Sequence, residues 1–359
     1  MSRKPNNMTL YEFKGTWRQI GQQYGEACRD GIKAMTSYWK ERVFAPVIPN
    51  VSLDKLMETS VQFIEPIEAF APEFMEELKG IAEGANIPLN EVLMQNGAFE
   101  LDVAAPVYFG GCTSFAATGK ATKDGKTVAG QNFDWCDGSE FAAMKIVPDN
   151  GPAILGAAIV GQLIMFGLND RGISHFANEL VYPKSVFGVP SLVIGQKALS
   201  QVSIPKALRC IAQSQSAIAL NHLIAGKDGD MIDIEATPDK NGYILPDRDI
   251  LTHANHFQTP FLQQHDMADQ IFFVDTYLRD YRMKQLMEDH YGDLDAEIMM
   301  EFLRDQRGYP TGICGMYDPE LPLVERGGTI FSICTVPEEG KAWIAPNPFE
   351  YEYREFTLG

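Results

Sequence analysis

Residues 151–168 (GPAILGAAIVGQLIMFGL) run for 18 positions without a charge, long enough to span a membrane. Four glycines, Pro152 and Gln162 interrupt the run, and it stops at the turn signal Asn169-Asp170-Arg171-Gly172. Strands covered on both faces read as continuous apolar stretches of this kind. The segment is therefore expected to form two buried strands meeting near Gly161-Gln162, not a transmembrane helix. A chain with such strands must cover them from both sides, so its fold has to be layered.

The flanking patterns agree with layering. In the first hundred residues Ile20, Tyr24, Cys28, Ile32, Met35 and Trp39 recur at three- and four-residue steps, the apolar face of a helix. Gly21 and Gly25 lie in this segment, where they allow close helix packing. Helices are expected over 53–70 and 72–84, with Pro72 in a first turn and Gly84 at an end. Asn90 is expected to cap a fourth helix, EVLMQNGAFEL. After about residue 105 the pattern turns to short strands: 112–118, a hairpin turn at 123–126, and 127–135 running back. Further strands are expected at 154–160, 163–168, 172–178 and 231–236, the last after a turn at 227–230. Helices return at 205–223, 271–288 and 296–304, and strands close the chain at 329–335 and 341–345. This order predicts an α+β unit without a linker, its boundary near residue 110 being a change of pattern and not a gap.

Charge narrows the function. Across 359 residues, 48 Asp and Glu against 30 Lys and Arg give a net charge of −18. That field repels phosphate backbones and anionic lipid, which argues against nucleic-acid and membrane partners. The first 15 residues hold no apolar stretch suited to a signal peptide, and the final Thr-Leu-Gly matches no lipidation or retention signal. A soluble, cytoplasmic protein is expected. The six cysteines form no Cys-x-x-Cys pair; most are expected to be small core residues.

Cys112 is the exception. It follows Gly110-Gly111 and opens a strand, and a glycine carbonyl can be approached closely. Attack of the Cys112 thiol on the Gly111 carbonyl, an N-to-S acyl shift and hydrolysis would cut the chain between 111 and 112. The new chain would begin with Cys112, thiol and α-amine on one residue. An α-amine titrates at about 7.7–8.0 and a thiol at about 8.5, so the amine can act as base for its own nucleophile. Asp134, on the returning strand Gly130-Gln131-Asn132-Phe133-Asp134-Trp135, is the candidate acid to orient that amine. A two-residue Asp124-Gly125 turn would set Cys112 opposite Asp137, with Asp134 on the other face. A one-residue shift would place Asp134 diagonally beside Cys112. Leu251-Thr252-His253-Ala254-Asn255-His256-Phe257 supplies Asn255, a side-chain amide donor for an oxyanion; such a donor lowers a barrier by about 3–4 kcal/mol.

Gly-Cys-Thr-Ser at 111–114, Gly-Gln-Asn-Phe-Asp-Trp at 130–135 and His-Ala-Asn-His at 253–256 resemble the penicillin (isopenicillin N) acyltransferase family of N-terminal nucleophile hydrolases. That family is distantly related to the choloylglycine hydrolases. The similarity runs from about residue 15 to 358, with weaker matches at 167–172, 328–332 and 342–345. It implies a four-layer αββα sandwich, self-cleavage into a small chain (1–111) and a large chain (112–359) that stay together as one folded unit, and a thioester acyl-enzyme. Position by position, Cys112 matches the nucleophile, Gly111 the residue before the scissile bond, Asp134 the orienting acid and Asn255 the oxyanion asparagine. Asn178 is a candidate second oxyanion or substrate contact. Ser332 falls where the family carries a functional serine, although a lone serine in a strand is structural by default. Gln131 stands where bile-salt hydrolases carry arginine, and the peroxisomal tail of the fungal acyltransferase is absent. Neither bile-salt specificity nor penicillin biosynthesis is therefore implied.

Other readings are weaker. His253 and His256 lack a zincin glutamate and any ligand pattern, so no metal is expected. Asp228, Asp230 and Asp233 lack the EF-hand Gly and Glu and fit a solvated hairpin. Arg279, Asp280 and Arg282 are expected on a solvated or ion-paired helix face, with Phe272, Phe273, Tyr277 and Tyr281 in the core. The expected function is a cofactor-free cysteine amidohydrolase or acyltransferase. It would take a small-molecule acyl donor, amide or thioester, with water or an amine as acceptor. The small and large chains would form a heterodimer, with further oligomerisation left open. The alternatives are hydrolysis of peptide-like conjugates or lipid amides on the same fold, an uncleaved degenerate binding protein, and metal-dependent hydrolysis through the two histidines.

Overall fold

The computed structural model describes residues 3–45, 52–102, 111–268, 274–321 and 326–359. Its strands are β1 (Leu10–Gly15), β2 (Thr113–Ala117), β3 (Val128–Cys136), β4 (Phe141–Pro148), β5 (Ile154–Ile159), β6 (Phe166–Asn169) and β7 (Ile173–Leu180). They continue with β8 (Ala219–Gly226), β9 (Met231–Ala236), β10 (Asn241–Ile244), β11 (Ile250–His253), β12 (Gly327–Val336), β13 (Lys341–Pro346) and β14 (Arg354–Thr357). They build an eight-stranded sheet, β1-β4-β5-β6-β7-β8-β9-β10, and a six-stranded sheet, β11-β2-β3-β12-β13-β14.

The sheets stack face to face, with β12 on β6 and β2 and β3 on β7. Aromatic rings fill the seam: Phe133 lies 5.1 Å from both Phe166 and Phe331, centroid to centroid, distances typical of favourable ring pairs. Helices Ser191–Leu199 and Ile204–Gln213 cover the outer face of the larger sheet. Helices Thr276–Asp289 and Ala296–Phe302 cover the smaller, through Phe115, Met283, Met287 and Met299. The result is the expected α+β, four-layer αββα sandwich. The uncharged run forms β5 and β6, joined through a turn at Gly161, whose φ is +98°. Among the described residues no helix is long and apolar enough to cross a membrane.

The six periodic apolar residues near the N-terminus are all buried, but on two helices, Trp17–Ala27 and Arg29–Tyr38, that meet at Cys28, and on the π-helical turn Trp39–Phe44 that follows. Helix Pro72–Ala85 crosses the first at backbone contact. A Cβ on Gly21 would sit 2.1 Å from the Glu77 carbonyl oxygen, and one on Gly84 would sit 2.2 Å from that of Gln22. These glycines are what close packing requires.

Several expectations are corrected. The segment 205–223 is a helix only to Gln213; Ala219–Gly226 is the buried strand β8. Being covered on both faces, β8 has no alternation to announce it, and no Gly or Pro marks the helix end. Asn90 lies inside helix Leu89–Asn96, whose cap is Pro88. Asp233 is buried in β9 and not in a solvated hairpin. Helix Thr276–Asp289 turns Thr276, Arg279, Met283 and Met287 inward. That geometry forces Tyr277 and Tyr281 outward, 44% and 65% exposed. Phe272 and Phe273, and the expected start of this helix at 271, lie outside the described residues, as does Gly110.

The glycine crossing gives a direct test. Gly84→Val is expected to lower the urea midpoint, costing about 1–3 kcal/mol as other overpacked cores do, while the exposed Lys33→Ala shifts it far less. Equal stability of Gly84→Val and the parent would refute the backbone contact.

Candidate active site

Cys112 sits just before β2, where β2 and β3 pair with Thr113 opposite Asn132. The connection is longer than a two-residue turn: Asp124-Gly125 is a bend within the loop, after a 3-10 turn at Gly119–Ala121. Neither expected register is therefore the observed one. The pairing, extrapolated past Thr113, runs Cys112 alongside Phe133, next to Asp134, and a β-bulge between Thr329 and Phe331 distorts the ladder at this point.

Three elements converge on Cys112. Its backbone N–H donates to Asn255 Oδ1 at 2.8 Å, and its carbonyl accepts from Arg279 Nη1 at 2.6 Å. Arg279 also donates to Thr113 Oγ1 at 3.0 Å and to Asn255 Oδ1 at 3.0 Å, and pairs with Asp275 at 2.6 Å. With two donors on its Oδ1, the Asn255 amide has one orientation open to it, and Nδ2 donates to the Glu179 carbonyl at 2.9 Å. One Nδ2 hydrogen is left over. The Asn255 N–H is anchored on Thr276 Oγ1 at 2.6 Å. Asp134 Oδ1 accepts from Thr329 Oγ1 at 2.5 Å, and Thr329 Oγ1 itself accepts from the Gly315 N–H.

The electrostatics follow from burial. Desolvation pushes the Cys112 thiol up to about 12, the Asp134 charge adds to this, and Arg279 opposes it. Asp134 is raised to about 7 by burial, against the pull of Arg279 and Thr329. Glu179 is raised to about 8 by burial and by Glu100. Thiol, carboxyls and guanidinium thus face one another where water is scarce. Cys112, Asp134 and Glu179 border a narrow cavity of about 20 Å³, room for about one water, walled mainly by Phe99, Phe133, Trp135, Met165, Phe166 and Leu220.

The structure brings Gly111, Cys112, Asp134 and Asn255 together. Asn178 stands apart from the cavity lining: its Nδ2 donates to the His253 carbonyl at 3.2 Å and its N–H to Asn221 Oδ1. Gln131 clamps both backbone groups of Ala177, tying β3 to β7. Ser332 bonds the Tyr353 hydroxyl at 2.6 Å, a structural contact. Among the described residues no group of three or more His, Cys, Asp or Glu is arranged to hold a metal.

Two residues escaped the sequence reading. Arg279 is ion-paired as expected but is only 2% exposed and faces the nucleophile. It also explains Gly111, where a Cβ would lie 2.0 Å from Arg279 Nη2. The other is Glu179, which lines the cavity beside Asn255. The inward face of Thr276–Asp289, with Arg279 in register with two methionines, was the one available signal.

Residues 121–348 match the family model described as acyl-coenzyme A:6-aminopenicillanic acid acyl-transferase. Over 337 residues the chain is 25% identical to the 40 kDa form of acyl-coenzyme A:6-aminopenicillanic-acid-acyltransferase from Emericella nidulans, covering 89% of this chain and 87% of that one. Among solved structures, a variant of conjugated bile acid hydrolase from Clostridium perfringens is similar at a TM-score of 0.48 and 14% identity, over 69% of this chain and 97% of that chain. The N-acylethanolamine-hydrolyzing acid amidase ortholog of Caenorhabditis elegans gives 0.46 and 16%, over 69% and 100%.

Removing one member of a buried ion pair leaves the other uncompensated. Arg279→Met is expected to cost about 3–5 kcal/mol in urea unfolding, with Arg279→Lys intermediate. A neutral Arg279→Met would show that Asp275 and the Cys112 carbonyl do not depend on it.

Proposed function

Because the chain belongs to the acyl-coenzyme A:6-aminopenicillanic acid acyl-transferase family, we propose that it is a self-processing cysteine amidohydrolase or acyltransferase whose nucleophile is Cys112. One observation carries this reading: the Cys112 backbone is held at both its N–H and its carbonyl, by Asn255 and Arg279, beside Asp134 and at the head of an apolar cavity.

In the first step Cys112 Sγ attacks the Gly111 carbonyl carbon. The thiol proton passes to the departing Cys112 nitrogen, and the peptide bond becomes a thioester. Water hydrolyses it, leaving Gly111 with a carboxylate and Cys112 with a free thiol and α-amine. The amine inherits the Asn255 Oδ1 contact, and the Asp134 carboxyl steadies it when protonated. In turnover the amine takes the thiol proton, and the thiolate attacks the acyl carbonyl of an amide or thioester. The spare Nδ2 hydrogen of Asn255 faces the oxyanion. The ammonium then protonates the leaving group, and water or an amine acceptor resolves the thioester. No step calls for a cofactor. Aromatic and aliphatic walls favour an apolar acyl group, which would have to open the cavity beyond its present room for about one water. Chains 1–111 and 112–359 would remain joined, since β1 pairs with β4 and helix Trp17–Ala27 packs on β4.

Mass spectrometry of the purified protein should find fragments of 111 and 248 residues, apart from any loss of Met1. Cys112→Ala should stay intact and inactive; a Cys112→Ala chain still cut at 111–112 would end this reading. Turnover by the mature enzyme should rise with pH as the α-amine loses its proton, around 7.7–8.0 if its reference value holds. A rate independent of pH from 5 to 8 would remove the amine as base.

A further inference from the structure

His253 ends β11 in the smaller sheet, and its ring crosses to β9 of the larger one. Its Nε2 lies 3.1 Å from Glu235 Oε1 on β9, and its Nδ1 lies 2.8 Å from the Ala254 carbonyl oxygen. A carbonyl oxygen only accepts, and an ionised carboxylate only accepts. Both ring nitrogens must therefore donate, which only the imidazolium can do. The ring is fully buried, as are Glu235 and Asp233, so the positive charge has its counter-charge beside it.

Glu235 is saturated in a way that points to the same purpose. Besides His253 it accepts from the backbone N–H groups of Gln258 and Thr259 and from Thr259 Oγ1. The segment from 254 to 259 is thus held at one end by the His253 Nδ1 bond and at the other by Glu235. Asn255 lies between those two ends. From β9, Asp233 adds charge and is itself held by Asn221 Nδ2 at 2.8 Å.

The neighbouring histidine takes the complementary state. Thr276 Oγ1 accepts from the Asn255 N–H, so its own hydrogen is available to His256 Nδ1, 3.0 Å away. A neutral His256 can then accept at Nδ1. Its ring lies over His253 with centroids 6.2 Å apart, and burial first, then the His253 and Arg279 charges, hold it down to about 4 against the pull of Asp280 and Glu235. The His-Ala-Asn-His segment therefore carries one charged and one neutral ring on either side of Asn255, an arrangement unsuited to a metal pair.

We propose that His253 is a positioning residue: a buried imidazolium, clamped between Glu235 and the Ala254 carbonyl, that holds Asn255 where it meets Cys112. This rests on the reading of Cys112 and Asn255 above. The charged and titratable groups facing the ring are Asp233 and Glu235 from β9 and His256 from its own turn, with Arg279 and Asp280 of helix Thr276–Asp289 beyond His256. Burial opposes the charge, but Asp233 and Glu235 outweigh it and raise His253 to about 9. Loss of the proton leaves either the carboxylate or the carbonyl without its donor, and the turn is released. Because the folded value lies above the usual 6.5, this contribution to stability is complete below pH 6.5. It disappears as pH rises through 9.

The test uses the uncleaved Cys112→Ala chain, so that it does not depend on the reaction. Long-range proton–nitrogen NMR should find both His253 ring nitrogens protonated at pH 7, with loss of one proton near pH 9. A neutral His253 ring at pH 7 would overturn the proposal, whatever Cys112 does. In the parent chain, His253→Gln should slow self-cleavage about 10- to 100-fold, the range expected for losing a charge-assisted hydrogen bond. It should also abolish the alkaline fall in cleavage rate expected of the parent above about pH 9. An unchanged rate with the alkaline fall intact would equally overturn it. Cleavage persisting in Cys112→Ala would instead strike the reading of the nucleophile and leave the NMR result standing.

Discussion

One buried guanidinium organises the centre of the molecule. Arg279 reaches across from helix Thr276–Asp289 to bond the Cys112 carbonyl, Thr113 and Asn255, while Asp275 on its own helix balances its charge. A guanidinium presents its donors in a rigid planar fork, so satisfying several acceptors at once fixes their relative positions. Strand β2, the 254–259 turn and the covering helix are held to one geometry by that fork. The neighbouring position then has to be glycine, because any Cβ at 111 would collide with Arg279. Electrostatically, the same cation moderates the cost of burying Asp134 and a thiol together.

Around that point the polar groups between the layers behave as ties between otherwise apolar surfaces. Gln131 grips the Ala177 backbone across the seam, Asn178 meets the His253 carbonyl, and His253 itself reaches Glu235. Each joins the smaller sheet to the larger. Aromatic packing at Phe133, Phe166 and Phe331 brings the sheets together without direction. The hydrogen-bonded ties select a single registration, since a slipped arrangement would leave several buried polar groups unsatisfied. Gln131 therefore belongs to the scaffold of the site; Asn178, the candidate contact of the motif resemblance, spends an Nδ2 hydrogen on such a tie, while its buried Oδ1 has no hydrogen-bond partner among the described residues.

Much of the layering was legible from residue patterns. The glycine- and proline-interrupted apolar run could only be strands covered on both faces, and β5 and β6 are that. Met231–Ala236 and the strands near 329 and 341 carried enough flanking turn chemistry to be located. Ala219–Gly226 did not. Continuous burial erased its period, and its leading residues completed an apparent helix. Tyr277 and Tyr281 misled for a related reason: an aromatic on a helix says nothing about which way the helix turns. The inward face here was chosen by Arg279 and the methionines.

The local order of residues around Cys112, Asp134 and Asn255 was enough to single out these three and the glycine before the first, because each carries a chemistry that few residue types can supply. Their meeting was another matter. Asn255 is 143 positions from Cys112, and which face of β3 serves Cys112 turned on a loop length and a bulge that local propensity does not specify. The partners that Arg279 meets, and the His253–Glu235 pair, were out of reach. A charge on a helix or strand is ordinarily solvated, and only the packing of two sheets and a covering helix removes the water and makes each depend on a partner distant in the chain.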